Sequence, residues 1–221
     1  MELYKHKDDT YFSNTRFDLI SLLPKQKVSR LLELGAGSCD TLVEIKRQNL
    51  AEVVVGVELI RLPKTNQENT LIDELHFGDF ETLNLKFQPA SFDVIICGDV
   101  LEHLVDPWSV VENLTRLLKP GGSFIVSCPN IRYYKTFVNI FMKGSFEYTD
   151  FGLFDKTHLR FFCKKDILSM LSKAGLIVES VTPAFKFYKK SKIYLLNGMT
   201  FGLFEQFLAL QYAVHAKQKV E

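Results

Sequence analysis

Residues 29–49 have the sequence SRLLELGAGSCDTLVEIKRQN, and this stretch decides which fold is expected. The apolar run that ends at Gly35 is typical of a short buried strand, and apolar residues recur at helical spacing over 40–49. Gly35 and Gly37 lie in the turn between the two elements, where the lack of a side chain lets the backbone approach a ligand closely. A strand, a glycine turn and a helix in this order begin a βαβ unit.

The rest of the chain continues this alternation. Further strands are predicted at 52–59, 75–79, 91–99, 123–129, 177–183 and 209–217. Further helices are predicted at 15–23, 64–74, 106–118 and 164–176, and a turn at 119–122. Continuous apolar runs such as VVVGV (53–57) suit strands that are buried on both faces of a sheet. The pattern predicts an α/β fold: a doubly wound, mostly parallel sheet in a single domain over residues 1–221.

The composition narrows the class of protein. The chain carries 27 Lys and Arg against 26 Asp and Glu, so it lacks the basic excess expected of a nucleic-acid-binding protein. The four cysteines form no Cys-x-x-Cys pair and no cluster with histidine, so neither disulfides nor a metal site is predicted. The first residues lack an apolar signal region, and no run of 18 apolar residues occurs. We therefore expect a cytoplasmic protein without stable membrane insertion.

The second predicted strand ends in an acidic residue, Glu58. A carboxylate in this position can accept hydrogen bonds from both hydroxyls of a ribose. Asp40 stands where a dinucleotide-binding loop has its third small residue, and its charge disfavours a pyrophosphate. The lysine of a phosphate-binding P-loop is also missing. The predicted ligand therefore contains a ribose, an adenine and a carboxylate, but no phosphate.

Several segments together resemble the class I S-adenosylmethionine-dependent methyltransferases. ELGAGSCD (33–40) is similar to their glycine motif, D/E-x-G-x-G-x-G, with Cys39 in place of the third glycine. The other segments that carry the resemblance are GVEL (56–59), Gly78-Asp79-Phe80, FDVIICGDVLEHLVDP (92–107) and LLKPGGSFIVSCPN (117–130). Residues 155–176 are similar to a segment common in bacterial small-molecule and glycan-cluster methyltransferases. The resemblance implies a Rossmann-like seven-stranded sheet whose last strand is antiparallel.

The same resemblance implies S-adenosylmethionine as the cofactor. It assigns nine residues to the cofactor site: Glu33, Gly35, Ala36, Gly37, Glu58, Leu59, Asp79, Phe80 and Gly98. The glycine turn would line the methionine and the ribose, with Glu33 at the amino group and Glu58 at the ribose hydroxyls. Asp79 and the N–H of Phe80 would bind the adenine, and Leu59 would pack on it. The Gly98 carbonyl would meet the methionine amino group.

Two histidines are candidates for the catalytic base. His103 directly follows the fourth predicted strand, and a histidine there could remove the proton from a phenol or sugar hydroxyl. His158, in Thr157-His158-Leu159-Arg160, is the rival candidate. The alternative for His103 is a structural histidine that bonds to loop backbone. The alternative for His158 is that it fixes the 131–162 segment onto the domain.

The acceptor is expected to contact two aromatic-rich regions. Residues 131–162 contain many aromatic side chains, and within them Arg132, Tyr133, Tyr134 and Arg160 are the predicted substrate contacts. The alternatives are a satellite core or the surface of a homodimer. Within the N-terminal segment 1–27, Tyr11 with Phe12 and Arg16 would form a lid. The basic and apolar segment 184–208 leaves association with a membrane surface open.

The resulting hypothesis is a methyltransferase that acts on a hydroxyl of a small molecule. A sugar or glycan hydroxyl is the first choice of acceptor, because of the likeness of residues 155–176 noted above. A phenolic hydroxyl of quinone biosynthesis is the second choice. The rival from another class is a catalytically silent partner subunit that binds the cofactor, since Cys39 replaces a glycine of the motif.

Overall fold

The computed structural model describes residues 7, 12–82, 87–185, 197–199 and 202–220. Within these ranges the strands are β1 (Val28–Leu34), β2 (Ala51–Glu58), β3 (Glu74–Phe77), β4 (Phe92–Gly98), β5 (Leu118–Pro129), β6 (Leu176–Ala184) and β7 (Gln211–Gln218). The α-helices are α1 (Phe17–Ile20), α2 (Asp40–Arg47), α3 (Pro107–Leu117), α4 (Tyr134–Phe137), α5 (Lys164–Lys173) and α6 (Glu205–Leu208). Short 3₁₀ turns cover Asn66–Glu68 and Leu101–His103, and a π-helical turn covers Val138–Met142.

The seven strands form one sheet in the order β3-β2-β1-β4-β5-β7-β6. Neighbouring strands from β3 to β5 are parallel, whereas β7 runs antiparallel to both β5 and β6. The predicted α/β fold, mostly parallel with an antiparallel last strand, is therefore confirmed. The strand order reverses between β1 and β4, and ligands of open α/β sheets bind at the carboxyl ends of the strands on either side of such a point.

The sheet is buried on both faces, because successive side chains of a strand point to opposite sides. Leu31 of β1 belongs to an apolar cluster that also contains Leu19 of α1 and Leu42 of α2. Its neighbour Leu32 belongs to a second, larger cluster, which includes residues of α3 and α5. This double burial explains the continuous apolar runs of the central strands. Among the described residues, no helix is both long and apolar enough to cross a membrane.

Two predicted helices are much shorter than expected. The helix predicted at 15–23 is confined to Phe17–Ile20, and the one predicted at 64–74 is a single 3₁₀ turn, Asn66–Glu68. Polar side chains in the second region bond to the local backbone instead. The Thr65 hydroxyl accepts the N–H of Gln67, and the Gln67 side chain in turn accepts the N–H of Leu62. Such local side-chain bonds compete with helix formation.

The turn predicted at 119–122 lies inside β5 instead of before it. Phe92 of β4 is paired with Leu118, but Val94, two positions further on, is paired with Ser123. The extra residues of β5 therefore form a wide bulge, which Gly121 accommodates with a φ of 75°. The backbone at Pro-Gly-Gly (120–122) is irregular, as predicted, but strand pairing continues on both sides of it.

Asn130 connects the start of the 131–162 segment to α6 and the residue that follows it, just before the last strand. Its side chain is fully buried, and Nδ2 donates to the carbonyl oxygens of Gln206 and Ala209, each at 2.8 Å. Its Oδ1 accepts the N–H of Arg132 at 3.1 Å. One amide thereby satisfies three backbone groups that come from two distant parts of the chain.

We expect Asn130→Ala to lower the free energy of unfolding by about 2–4 kcal/mol, because buried backbone groups lose their partners. For a chain of this size the melting temperature should fall by about 4–16 °C. Asn113→Ala, on the exposed face of α3, is the matched control and should change the unfolding free energy by about 0.5 kcal/mol or less. Equal effects of the two substitutions in urea denaturation would contradict the role given to Asn130.

Candidate active site

A cavity of about 630 Å³ opens at the carboxyl ends of β1, β2 and β4. Its walls are drawn from residues as far apart in the chain as Phe12 and Gln211. All nine residues predicted to contact the cofactor line it: Glu33, Gly35, Ala36, Gly37, Glu58, Leu59, Asp79, Phe80 and Gly98. The two predicted catalytic residues, His103 and His158, line the same cavity. The residues predicted to bind the cofactor and those predicted to act in catalysis thus line one continuous cavity.

The turn between β1 and α2 requires its two glycines. Gly35 and Gly37 have φ angles of 70° and 52°, a region that side chains disfavour. A Cβ atom on Gly35 would lie 2.3 Å from Cγ2 of Val100, and one on Gly37 would lie 2.7 Å from the carbonyl oxygen of Phe12. Cys39 shares the left-handed backbone at φ 67°, but its side chain is buried outside the cavity lining. Cys39, in place of the third glycine of the motif, therefore does not project into the cavity.

The carboxylate of Glu58 is fixed at the end of β2 by backbone N–H groups. Its Oε2 accepts the N–H of Gly37 at 2.7 Å, and its Oε1 accepts those of Leu59 and Ile60 at 2.7 and 3.2 Å. Burial raises the pKa of Glu58, and these three bonds oppose the rise. Because a carboxylate has about four acceptor positions, about one remains for a hydroxyl donor.

Glu33 is a buried carboxyl group with an incomplete set of partners. The residue is 4% exposed, and its Oε2 has no hydrogen-bond partner among the described residues. Burial raises its pKa to about 8, although the charge of Arg16 acts in the opposite direction. A cationic amino group bound in the cavity would supply the missing partner and stabilise the ionised form.

Arg16 and Asp99 form the centre of a charged network at the cavity wall. Nη1 of Arg16 donates to Asp99 at 2.7 Å, and its Nε and Nη2 donate to the two oxygens of Asp18. The other oxygen of Asp99 accepts the hydroxyl of Ser127 at 2.9 Å and the side-chain amide of Gln211. Burial lowers the pKa of Arg16, but Asp99 and Asp18 more than offset this and raise it above its usual value. Of this network, only the place of Arg16 in an N-terminal lid is expected from the sequence.

His103 and His158 lie together on another part of the cavity wall. Their rings are 4.7 Å apart in an edge-to-face arrangement. The Nδ1 of His103 donates to the carbonyl of Thr157, and that of His158 donates to the carbonyl of Leu153, each at 3.1 Å. Burial lowers the pKa of His103 to about 4, helped by the neighbouring His158, and burial also lowers the pKa of His158. Both rings are therefore neutral at pH 7, with a lone pair on Nε2.

Glu102 lies beside this pair and was not predicted as a site residue. It is 1% exposed, and neither of its side-chain oxygens has a hydrogen-bond partner among the described residues. Burial raises its pKa well above the usual range, and the charge of Asp99 adds to the effect. Its place beside His103 in the 92–107 motif is the sequence signal that could have found it.

The structure does not bring the predicted substrate contacts into the cavity. Arg132 lies over the ring of Phe207, and Tyr133 is buried against Tyr134. Arg160 donates to the carbonyl of Val105. None of these four lines the cavity, and Tyr11 falls outside the described residues. The part of segment 131–162 that does line it is Gly152, Leu153, Asp155, Thr157, His158 and Leu159.

Most aromatic rings of segment 131–162 lie outside the cavity lining. The ring of Phe146 makes edge contacts with those of Tyr148, Phe154 and Phe161, which together form a satellite cluster. Phe146 and Tyr148 are themselves exposed, as are other aromatic side chains of the segment such as Phe151. The four clustered rings lie outside the cavity lining.

The architecture and the cavity define a class I enzyme that binds an adenosyl cofactor, and comparison with known proteins agrees. A family model described as a methyltransferase domain matches residues 4–181. A ubiquinone biosynthesis O-methyltransferase of Xylella fastidiosa (strain 9a5c) is 29% identical over 180 residues, covering 76% of this chain and 68% of that protein. A protein of the same name from Paracidovorax citrulli is 34% identical over 174 residues, covering 69% of this chain and 68% of that protein.

The fold also matches a solved structure, that of an S-adenosylmethionine-dependent methyltransferase from Mesorhizobium loti. The TM-score is 0.61 at 18% identity, over 91% of this chain and 96% of that one. The chain belongs to the methyltransferase domain family and is an S-adenosylmethionine-dependent methyltransferase. The cavity fits the cofactor, because the unpartnered oxygen of Glu33 suits its amino group and the fixed carboxylate of Glu58 suits its ribose.

The raised pKa of Glu33 predicts a pH dependence of stability. Between the ordinary pKa of about 4.5 in the unfolded chain and about 8 in the folded chain, the folded state keeps a proton that the unfolded state has lost. The free energy of unfolding should therefore fall as pH rises from 5 to 8, by up to about 1.4 kcal/mol per pH unit from this group.

Urea denaturation without cofactor tests this expectation. Glu33→Gln should lose less stability than the wild type between pH 5 and pH 8, because its side chain does not titrate. Glu112→Gln, exposed on α3, is the control and should follow the wild type. The expectation fails if Glu33→Gln and the wild type show the same change between the two pH values.

Proposed function

We propose that this methyltransferase transfers a methyl group to a hydroxyl of a small molecule that bears an aromatic ring. The observation that carries the proposal is the shared cavity, in which the neutral His103 and His158 line the same space as Glu33 and Glu58. The two relatives described above are named as ubiquinone biosynthesis O-methyltransferases, which supports oxygen as the acceptor atom. A sugar hydroxyl is the first choice of acceptor from the sequence alone, but neither of these relatives is named for a sugar substrate.

The lining around the histidines favours a ring over a sugar. The cavity lining includes the apolar side chains of Leu104, Val105, Leu153, Leu159 and Leu210, beside the polar ones of Glu102, Asp155 and Thr157. A sugar has several hydroxyls, each of which needs a partner when it is taken out of water. An aromatic ring instead gains from contact with apolar walls, and its single reacting hydroxyl can meet the polar histidine side.

Each group of cavity residues has a distinct task in this proposal. The bound cofactor supplies a methyl group that is already activated by a positively charged sulfur. Glu33 and Glu58 hold the amino and ribose ends, so the methyl group has a fixed position. His103 and His158 present their Nε2 lone pairs to the acceptor hydroxyl, whose proton must be removed. Leu104 and Leu153 help to exclude water from the reacting atoms.

Cofactor affinity should depend strongly on Glu58. We expect Glu58→Ala to weaken binding of S-adenosylhomocysteine by about 1.5–3 kcal/mol, because a charged group loses its hydrogen bonds to the ribose. This corresponds to an increase in Kd of about 10- to 150-fold, which isothermal titration calorimetry can measure. Glu44→Gln on α2 lies outside the cavity lining and should bind like the wild type. Unchanged affinity of Glu58→Ala would remove Glu58 from the site.

Turnover should depend on His103 without a matching change in cofactor affinity. We expect His103→Gln to lower kcat by about 100-fold or more, in the range for loss of proton-transfer catalysis, with Kd for the cofactor nearly unchanged. The assay should use two panels of acceptors, ring hydroxyls and sugar hydroxyls. Turnover confined to sugars would contradict the acceptor class. Tight cofactor binding with no turnover on either panel would favour the silent partner subunit.

A further inference from the structure

We propose that Glu102, His103 and His158 together bind a divalent transition-metal ion, with zinc the best match to the ligand set. One ligand atom from each residue lies within 4.8 Å of the other two. Zinc binds imidazole nitrogens and carboxylate oxygens at about 2.0–2.2 Å, so small side-chain rotations would bring all three around one ion. Glu102 and His103 are adjacent in the sequence, but His158 follows more than fifty residues later, so the spacing alone predicts no metal site.

The state of Glu102 is the first observation that points to a cation. A buried carboxyl group without a hydrogen-bond partner is costly and rare in native proteins. Both side-chain oxygens of Glu102 are in this state, in a residue that is 1% exposed. Its backbone carbonyl is occupied by the N–H groups of Leu159 and Arg160, which holds the residue in place. A cation would give the carboxylate a partner without any rearrangement of the backbone.

The hydrogen bonds of the histidines are the second, independent observation. Metal-binding histidines usually donate their other ring N–H to a carbonyl or carboxylate, which fixes the ring and the tautomer. His103 and His158 both do so, through Nδ1, to the carbonyls of Thr157 and Leu153. Each ring therefore presents an Nε2 lone pair as a ligand. A cation could therefore bind at the Nε2 atoms, which are on the other side of each ring from these carbonyls.

The nearby charges are already paired and do not compete for the ion. Asp155 accepts from Lys7 at 2.6 Å and from the hydroxyl and N–H of Thr157. Asp99 is paired with Arg16. Glu102 differs from both, because neither of its side-chain oxygens has a hydrogen-bond partner in the described part of the chain. Two imidazoles and one carboxylate form the ligand set of many catalytic zinc sites, which keep a further position open for water or substrate.

The role that we give the ion rests on the proposed function, whereas its binding does not. All three ligands line the cavity, so a bound hydroxyl can reach the ion. A cation next to the hydroxyl oxygen lowers the pKa of that hydroxyl. The O–H bond breaks, its proton passes to water, and the oxygen keeps the electron pair for the incoming methyl group. His103 would then be a ligand of the ion and not the acceptor of the proton.

Direct metal binding is the decisive measurement. The full chain is treated with a chelator, and Zn²⁺ is then titrated in competition with a chromophoric chelator. We expect one Zn²⁺ per chain with a Kd below about 1 μM, and visible absorption bands when Co²⁺ replaces it. Glu102→Gln and His158→Gln should each weaken binding by about 100-fold or more, since even indirect supports of a metal site contribute 10- to 100-fold. Both variants should still bind S-adenosylhomocysteine, which shows that they are folded.

His215→Gln is the matched control. His215 lies on β7, where its ring contacts the hydroxyl of Ser123 and not the cavity, so this variant should bind zinc like the wild type. A Co²⁺ spectrum dominated by thiolate charge transfer would show binding at a cysteine and would overturn the assignment. So would wild-type protein that binds neither ion at micromolar concentration, or equal losses in His215→Gln and His158→Gln.

The metal site and the proposed function can fail separately. Zinc binding that depends on Glu102 and His158, without methyl transfer to either acceptor panel, would leave the site in place and refute the function. Methyl transfer at the full rate by protein shown to be free of metal would refute the role of the ion and leave the function in place.

Discussion

The carboxylate of Asp99 joins the parts of the chain that form the cavity. It accepts hydrogen bonds from Arg16 before α1, Ser127 of β5 and Gln211 of β7, while it directly follows β4. Its own backbone has a φ of 55°, a conformation that costs on the order of 1–3 kcal/mol outside glycine. Three donors offset this cost. Without them the N-terminal segment and the last strand would have no common polar contact at the cavity wall.

Local sequence patterns predict the sheet, and the family resemblance adds nine residues that all line the cavity. The glycine turn and Glu58 follow β1 and β2, which are consecutive in the chain and paired in the sheet. The histidine half depends on contacts between distant segments, such as that of His103 with the carbonyl of Thr157. The charge and aromatic neighbours of Arg132 suit a pocket as well as a surface, and in the structure it lies over Phe207, outside the cavity lining. Composition alone does not separate these two settings.

Buried carboxyl groups are the main electrostatic cost of the site. Glu33, Glu58 and Glu102 are each less than 7% exposed, and burial raises the pKa of all three. Glu58 is compensated within the chain by backbone N–H groups, whereas Glu33 and Glu102 retain oxygens without partners. Apolar side chains of similar size at these positions would give equal or greater stability, so stability alone does not account for the carboxyl groups. The proposed cofactor amino group at Glu33 and the proposed cation at Glu102 would each supply the positive charge that these side chains lack.

β7 is the last of the seven strands to be synthesised, yet it lies inside the sheet, between β5 and β6. Until residues 211–218 have left the ribosome, one edge of β5 has no partner and β6 cannot join the sheet. An open strand edge readily pairs with another chain, so the nascent protein passes through an aggregation-prone state. Gln211, the first residue of β7, also completes the network around Asp99. A chain terminated before β7 would keep the parallel strands from β3 to β5, but it would lack the strand that joins β6 to the sheet and the Gln211 side chain at the cavity wall.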